Sequence, residues 1–520
     1  MKSTRALLSL LLMIPLSTML VFAPLAGQQR QVKMTLEECI VAAVKHNLDI
    51  AVQVFNPQIT ELMIKQAKER FLPQLSFGFN KQSQQSASYS FLDTDETLLA
   101  DYGDWSAHLN QEIPTGGRLT VNLMSYKNDT NQSFQIINPR YGSTLSFQFD
   151  QPLLKNFGFK ASRREILVAQ NNLNVSDSQF RASLLLTVFD VEEAYWNLVF
   201  ALENLEVMTQ SLELAQDLLR KNQKEVEVGT LAPIEILTAE AEVATREADI
   251  LQAQVSVENS EDTLKTLLNA FTDAEIPLVF IDPVERPDFR KLEINVDEAL
   301  KVALLNRPDL QSQRFDLENR ELDLSFARNQ LLPDLSLGFN YWSPGISGTQ
   351  LIYENNDPYT GNVIGQIPGT GVDSLQDALN FTYRNWAIGL TLTIPFNTFL
   401  SRASESRAQL ALEQSLTQIK SQEKQIFLEV RNAVRMVNTN YKRVQAYQVA
   451  RDLAERKLEV EEKKLRVGMT TNYIVLQHQR DLSNSRSTLL RAALDYVLSL
   501  ARLDMAMGIT LDKKNIKMSF

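Results

Sequence analysis

The chain has 520 residues, 44% of them hydrophobic and 22% charged, with a formal net charge of −11. These proportions are ordinary for a folded protein, and the acidic balance disfavours nucleic acid as a partner, because phosphate binding needs clustered Lys and Arg. Beyond the N-terminus no run of about eighteen apolar residues occurs, so no transmembrane helix is indicated.

At the N-terminus Lys2 and Arg5 precede an apolar run from Ala6 to about Phe22, and small residues follow at Ala23, Ala26 and Gly27. A charged start, an apolar middle and a small-residue end form the pattern of a secretory signal peptide over residues 1–27, with cleavage near Ala26 or Gly27. A membrane-anchor helix is the alternative reading. The single cysteine, Cys39, cannot form an internal disulfide.

The rest of the chain reads as two copies of one plan. Phe71-Leu72-Pro73-Gln74-Leu75-Ser76-Phe77-Gly78-Phe79-Asn80 matches Leu331-Leu332-Pro333-Asp334-Leu335-Ser336-Leu337-Gly338-Phe339-Asn340. Val191-Glu192-Glu193-Ala194 matches Val430-Arg431-Asn432-Ala433, and Val228-Gly229-Thr230 matches Val467-Gly468-Met469. Such self-similarity marks a repeat architecture. The first copy is placed at 28–272 and the second at 293–510. A Pro- and Asp-rich connector, 273–292, joins them, and 511–520 is a tail.

Each copy opens with helical spacing: Leu36, Ile40, Ala43 and Val44, then Val296, Leu300, Ala303 and Leu304. Asn47-Leu48-Asp49 and Pro57 are expected to interrupt the first, and Asn306-Arg307-Pro308-Asp309 the second. The period then changes to two. Leu75, Phe77 and Phe79 alternate with Ser76, Gly78 and Asn80. Leu335, Leu337, Phe339 and Tyr341 alternate with Ser336, Gly338 and Asn340. The return strands alternate alike at Leu145, Phe147 and Phe149, and at Trp386, Ile388, Leu390 and Leu392. Strands are thus predicted within about 73–152 and 333–395. This alternation suits a water-filled membrane barrel, and equally a soluble sandwich. Pro73, Pro152, Pro333 and Pro395 stand at the four helix–strand corners, where a residue without an N–H ends either ladder.

From Arg163 to Val228 and from Ala403 to Val467 there is neither proline nor glycine. Val188, Val191, Ala194, Tyr195 and Leu198 mark a three-and-four spacing in the first run. Phe427, Val430, Ala433, Val434 and Val437 mark it in the second. Runs of that length point to coiled-coil-like helices on the order of 100 Å long. A Val-Gly turn ends each, and a helix returns at about 234–268 and 473–507. Two short helices stacked end to end would match one long one, as in the wall of a tube.

In this order and duplication the chain resembles the TolC-type outer-membrane efflux protein family. The resemblance rests on the paired Leu-Pro-x-Leu-Ser-x-Gly-Phe entries, Gln151-Pro152-Leu153-Leu154, the Val191–Tyr195 segment and the two Val-Gly turns. It implies a mixed helical and β-barrel membrane protein with two internal repeats per protomer. The homotrimer would share a 12-stranded outer-membrane β-barrel, four strands from each chain, continuous with a long periplasmic α-helical barrel. As function it implies the passive exit duct of a tripartite efflux or type I secretion system, partnered by a periplasmic adaptor and an inner-membrane pump or ABC transporter. Val228, Gly229, Thr230, Val467, Gly468 and Met469 would meet the adaptor at the periplasmic tip. Family members often carry an acidic residue six positions after the turn glycine. Here that position is Glu235 in the first copy, a candidate aperture ring, but Ile474 in the second, and the further acidic position is Gln477.

Residues 86–140 and 343–384 are long for hairpin loops. The first holds a candidate hairpin of its own, Leu109–Ile113 and Leu119–Met124 about Pro114-Thr115-Gly116-Gly117. It is expected as an extracellular extension, with added barrel strands as the alternative. No catalytic constellation, phosphate loop or metal spacing occurs. His46, His108 and His478 stand apart, and no cofactor is called for. The competing class is a periplasmic coiled-coil scaffold or adaptor without a barrel.

Overall fold

The computed structural model describes residues 30–89, 96–133, 135–272, 275–276, 278–360 and 362–516; the expected signal segment 1–27 lies outside the described residues. In chain order the elements are β1 (Arg30–Met34), α1 (Leu36–His46), α2 (Leu48–Glu69), β2 (Gln74–Ala87), β3 (Thr97–Glu112), β4 (Arg118–Thr130), β5 (Ile137–Pro152), α3 (Phe159–Ser162), α4 (Arg164–Glu227) and α5 (Ile234–Leu268). Then come β6 (Val279–Pro283), α6 (Val296–Asn306), α7 (Pro308–Asn329), β7 (Asp334–Tyr353), β8 (Val363–Ile367), α8 (Gly371–Leu379), β9 (Asn385–Thr393), α9 (Phe399–Arg466), α10 (Asn472–Met507) and α11 (Thr510–Lys513). Among the described residues no helix is long and apolar enough to cross a membrane.

The helices begin and end where local chemistry dictates. Thr35 and Glu38 form a capping box at α1, and Asn47 both ends α1 and caps α2 through Ile50 N. Arg307 breaks the second pair, with Pro308 at the first position of α7, where its missing N–H has no intrahelical partner to lose. Pro57 does not interrupt α2, contrary to expectation; it is buried within a continuous 22-residue helix. The long helices span 64 and 68 residues. The seam of α4 follows the predicted spacing, with Val188, Val191, Ala194, Tyr195 and Leu198 all buried. In α9 the seam residue is Ile426, which is fully buried, and the predicted Phe427 is exposed.

Packing makes a two-tier wall. In the tier next to the sheet, α4 lies between α2 and α7, and α7 packs on α9. In the far tier, α4 lies between α5 and α10, and α10 packs on α9. The long helices run through both tiers, and the shorter helices divide the length between them.

At the waist, β1 pairs in parallel with β6, a pair the sequence did not reveal because each strand has only five residues. Part of the connector, Val279–Pro283, is therefore strand. Ile281 N donates to Glu261 at 2.9 Å, and Leu36 N donates to the Glu285 carboxylate at 3.0 Å. Glu285 in turn accepts from the buried Tyr195 hydroxyl of α4. Burial first, then the charges of Glu285 and Glu38, push the neighbouring Cys39 thiol up to about 12.

The sheet corrects two expectations. The order β2-β3-β4-β5-β7-β9 gives six long strands in one sheet, not four, with short β8 beside the far end of β7. Residues 97–130 are also not an external cap: β3 and β4 pair along their lengths, with β2 on one side and β5 on the other. Their turn points back toward the helices. The registers place it level with Pro73, Pro152, Pro333 and Pro395, which line the same rim. The residues around 343–384 are likewise partly sheet, because β7 continues to Tyr353. The α8 helix folds back over β5 and β7, where Ser374 Oγ lies 2.9 Å from Ser143 Oγ.

The β3–β4 turn is fastened at this rim. Glu112 pairs with Arg70 at the end of α2 and with Arg118 at 3.6 Å. Gly158 N donates to Thr115 O at 3.0 Å. Gly116 has φ +96°, and a Cβ there would lie 2.3 Å from Asn156 O, a backbone atom that cannot swing away. Gly116→Ala is therefore expected to lower stability by at least ~1–3 kcal/mol, read as a lower melting temperature of the purified protein. Gly389→Ala, where a Cβ meets nothing within 4 Å, is the control and should melt nearly as the parent does.

Candidate functional site at the helical tips

The α4–α5 and α9–α10 hairpins end in turns of the same construction. Gly229 and Gly468 have φ +79° and +75°, open to glycine at little cost, and a Cβ added at either would meet nothing within 4 Å. Thr230 N donates to Glu225 O at 2.8 Å and Gly229 N to Val226 O at 3.0 Å. Met469 N donates to Lys464 O at 2.9 Å and Gly468 N to Leu465 O at 3.0 Å. Each is a Schellman closure that satisfies the last carbonyls of a long helix. The apolar side chains of these turns face outward: Val228 is 73% exposed, Val467 68% and Met469 76%.

The predicted aperture residue is less open than expected. Glu235 lies in the first turn of α5, half-buried, with Oε2 enclosed and without a hydrogen-bond partner. Its backbone carbonyl accepts from the buried Asn222 of α4 at 3.4 Å.

Above the tips lies a charged cluster that no sequence motif singled out. Arg246 and Glu242 of α5 are almost fully buried, and Arg246 Nε donates to Glu242 at 3.1 Å. Arg246 also donates to Ser211 O of α4 at 3.0 Å and to Leu476 O of α10 at 3.4 Å. Arg480 of α10 closes the cluster on the other oxygen of Glu242. Burial pulls the Arg246 guanidinium down from its usual value, and the Glu242 charge opposes that. One arginine thus ties both helical hairpins together, beside an apolar patch of Leu218, Leu458, Val475, Leu476 and Leu482. The i, i+4 spacing of Glu242 and Arg246 was the only sequence signal, and it is common on exposed helices.

The sheet supplies the other half of the geometry. One face carries the row Leu75–Leu109–Val121–Phe147–Tyr341–Trp386 across all six long strands. The opposite face carries Gln74–Asn110–Thr120–Gln148–Asn340–Ala387. An apolar face is thus backed by a polar one, the alternation that a membrane barrel shows, and joined at one rim to a wall of long helices; Phe381, after α8, packs on the apolar face at Phe147 and Tyr341.

Comparison with known proteins agrees. The family model described as outer membrane efflux protein matches residues 118–270 and 299–509. The chain belongs to that family. By that membership it is an outer-membrane export channel, not an isolated coiled-coil scaffold. It is 23% identical over 381 residues to the alkaline protease secretion protein AprF of Pseudomonas aeruginosa, covering 73% of this chain and 71% of that one. It is 23% identical over 383 residues to the outer membrane protein TolC of Vibrio cholerae, covering 73% and 80%. Among solved structures, the Campylobacter jejuni CmeC outer membrane channel shares the fold with a TM-score of 0.62 at 17% identity, covering 91% of this chain and 85% of that one. The first matched segment begins at Arg118, the first residue of β4, so α1, α2, β2 and β3 lie outside it.

Removing a charge from the tip cluster tests how much it holds. Arg246→Met leaves Glu242 buried with only a largely exposed arginine, and is expected to cost about 3–5 kcal/mol. Arg480→Met removes the 59%-exposed partner and should cost about 1 kcal/mol or less. Chemical unfolding followed by helical circular dichroism distinguishes the two; equal losses would sink the assignment.

Proposed function

We propose that this chain is the exit duct of a tripartite efflux or type I secretion system, standing in the outer membrane and reaching through the periplasm as a homotrimer. The observation that carries the reading is the junction itself: a two-faced sheet whose proline-lined rim meets helices of 64 and 68 residues. The longer helix spans on the order of 100 Å, far more than a bilayer needs. Its relatives support the type of system, since AprF is named for protease secretion. Transport is passive, with energy supplied by an inner-membrane pump or ABC transporter. The signal segment 1–27, the repeats 28–272 and 293–510 and the connector 273–292 fit this export route and tube plan.

The tip turns at Val228, Gly229, Thr230, Val467, Gly468 and Met469 are the proposed adaptor contact. Their exposed apolar side chains on hydrogen-bonded turns suit docking by a helical hairpin of the adaptor. The Arg246 cluster holds the two hairpins of each chain in fixed relation behind that contact.

Fractionation tests the function. The protein is expected with the outer membrane, as an oligomer of three copies that heating in detergent dissociates; a soluble periplasmic monomer would overturn the reading. Glu235 is proposed to contribute to a ring at the aperture, where negative charge raises the local cation concentration. Glu235→Gln should reduce cation preference in planar-bilayer recordings, and unchanged selectivity removes Glu235 from that role.

A further inference from the structure

We propose that the β3–β4 hairpin makes the shared barrel eighteen-stranded, six strands from each of three copies, closed by head-to-tail pairing of β2 from one copy with β9 of the next. The inference rests on the export-channel reading above and departs from the twelve strands that the family resemblance implies.

Four observations on the sheet carry it. First, the exposure lies at its two ends. All fourteen residues of β2 are exposed, and eight of nine in β9, whereas two of thirteen are exposed in β4 and two of sixteen in β5. Phe77 and Phe79 are 78% and 80% exposed, and Trp386 and Leu390 66% and 65%. Edge strands with apolar residues beside the rim and unpaired backbone groups are what a sheet leaves open for another strand. In hydrocarbon, where no water can satisfy those groups, they must be paired.

Second, the directions fit. Every neighbouring pair from β2 to β9 is antiparallel. With six strands, β2 runs away from the helices and β9 toward them. The two edges therefore pair antiparallel when copies stand side by side. Such a head-to-tail contact closes into a ring. One copy is too small to close alone, since membrane barrels begin at about eight strands.

Third, the added hairpin belongs to the wall. Leu109 and Val121 lie in the apolar row, and Asn110 and Thr120 in the polar row; Ala107, Leu123 and Trp105 continue the apolar face as far as Ser125. The lengths of β3 and β4, 16 and 13 residues, exceed the roughly 9–11 that a tilted strand needs to span a bilayer.

Fourth, the arcs match. Six strands about 4.8 Å apart and tilted by about 40° cover about 38 Å of circumference. Four helices about 9 Å apart cover about 36 Å. Four strands would cover only about 25 Å. The hairpin thus brings the sheet to the width of the helical wall it joins, and Glu112 with Arg70 and Arg118 fastens it at that level.

The test uses full-length protein in outer-membrane vesicles. Native Cys39, 0% exposed, stays silent. Single substitutions Thr120→Cys, Val121→Cys, Asn122→Cys and Leu123→Cys are treated with a charged, water-confined maleimide and with a bilayer-soluble one. The expected result is alternation: Thr120 and Asn122 positions take the charged reagent from the lumen, and Val121 and Leu123 positions take the lipid-soluble one. In a second arm, Phe77→Cys is combined in turn with Trp386→Cys, Ile388→Cys, Leu390→Cys and Leu392→Cys and oxidised. At least one pair should give covalent species ending at three copies. Labelling of all four β4 positions by the charged reagent, or covalent species that stop at two copies, overturns the eighteen-stranded barrel. If the protein is an outer-membrane trimer in either case, the export-channel reading stands; a protein absent from the outer membrane sinks both.

Discussion

A backbone N–H or C=O in hydrocarbon has no water to turn to, and that constraint orders this structure from one end to the other. It admits only two spanning forms, helix and closed sheet. No described helix is apolar enough for the task. The burden falls on the sheet, whose six long strands present Leu75, Leu109, Val121, Phe147, Tyr341 and Trp386 on one face. A sheet that closes must also agree at its rim with the helices beneath it. The rim at Pro73, Pro152, Pro333 and Pro395 is where the two ladders are ended and exchanged.

Below the rim the constraint reverses. Helices satisfy their own backbones, so the wall is held by side chains, and its two tiers come from matching lengths. The joint between tiers is the weak point, because there the chain leaves helical geometry. It is reinforced by the waist: β1 against β6, Glu261 on Ile281 N, and Glu285 shared between Leu36 N and the Tyr195 hydroxyl. The connector that reads in sequence as a linker is in this sense a brace across the joint.

Much of this was legible in the sequence because single residues carry it. A run without proline or glycine must be helix if it is periodic, and both long helices fall within a few residues of their predicted bounds. The paired glycines announced left-handed turns, and Gly229 and Gly468 adopt them. What escaped was whatever depends on distant partners. The β1–β6 pair joins segments far apart in sequence. The Leu109–Met124 hairpin was visible, but its place depends on strands β2 and β5 on either side, which alternation alone does not name. Pro57 breaks an isolated helix, yet here it is buried within one. Ile426 and Phe427 are both apolar neighbours, and only the direction of the packing partner chose between them. Glu242 and Arg246 look like any exposed i, i+4 pair until Ser211 and Leu476 enclose them.

That enclosure bears on how such a wall moves. Arg246 touches α4, α5 and α10 at once, about 25 Å above the turn at Gly229 at 1.5 Å per residue. Beyond it toward the tips lies the small apolar patch of Leu218, Leu458 and Leu476, and at the turns a Cβ added to Gly229 or Gly468 would meet nothing within 4 Å. Stiffness therefore falls toward the end that an adaptor would grip. A rotation of a few degrees about the arginine level moves a tip by an ångström or more, while the same rotation leaves the sheet rim, fixed by Glu112 and its two arginines, where it was.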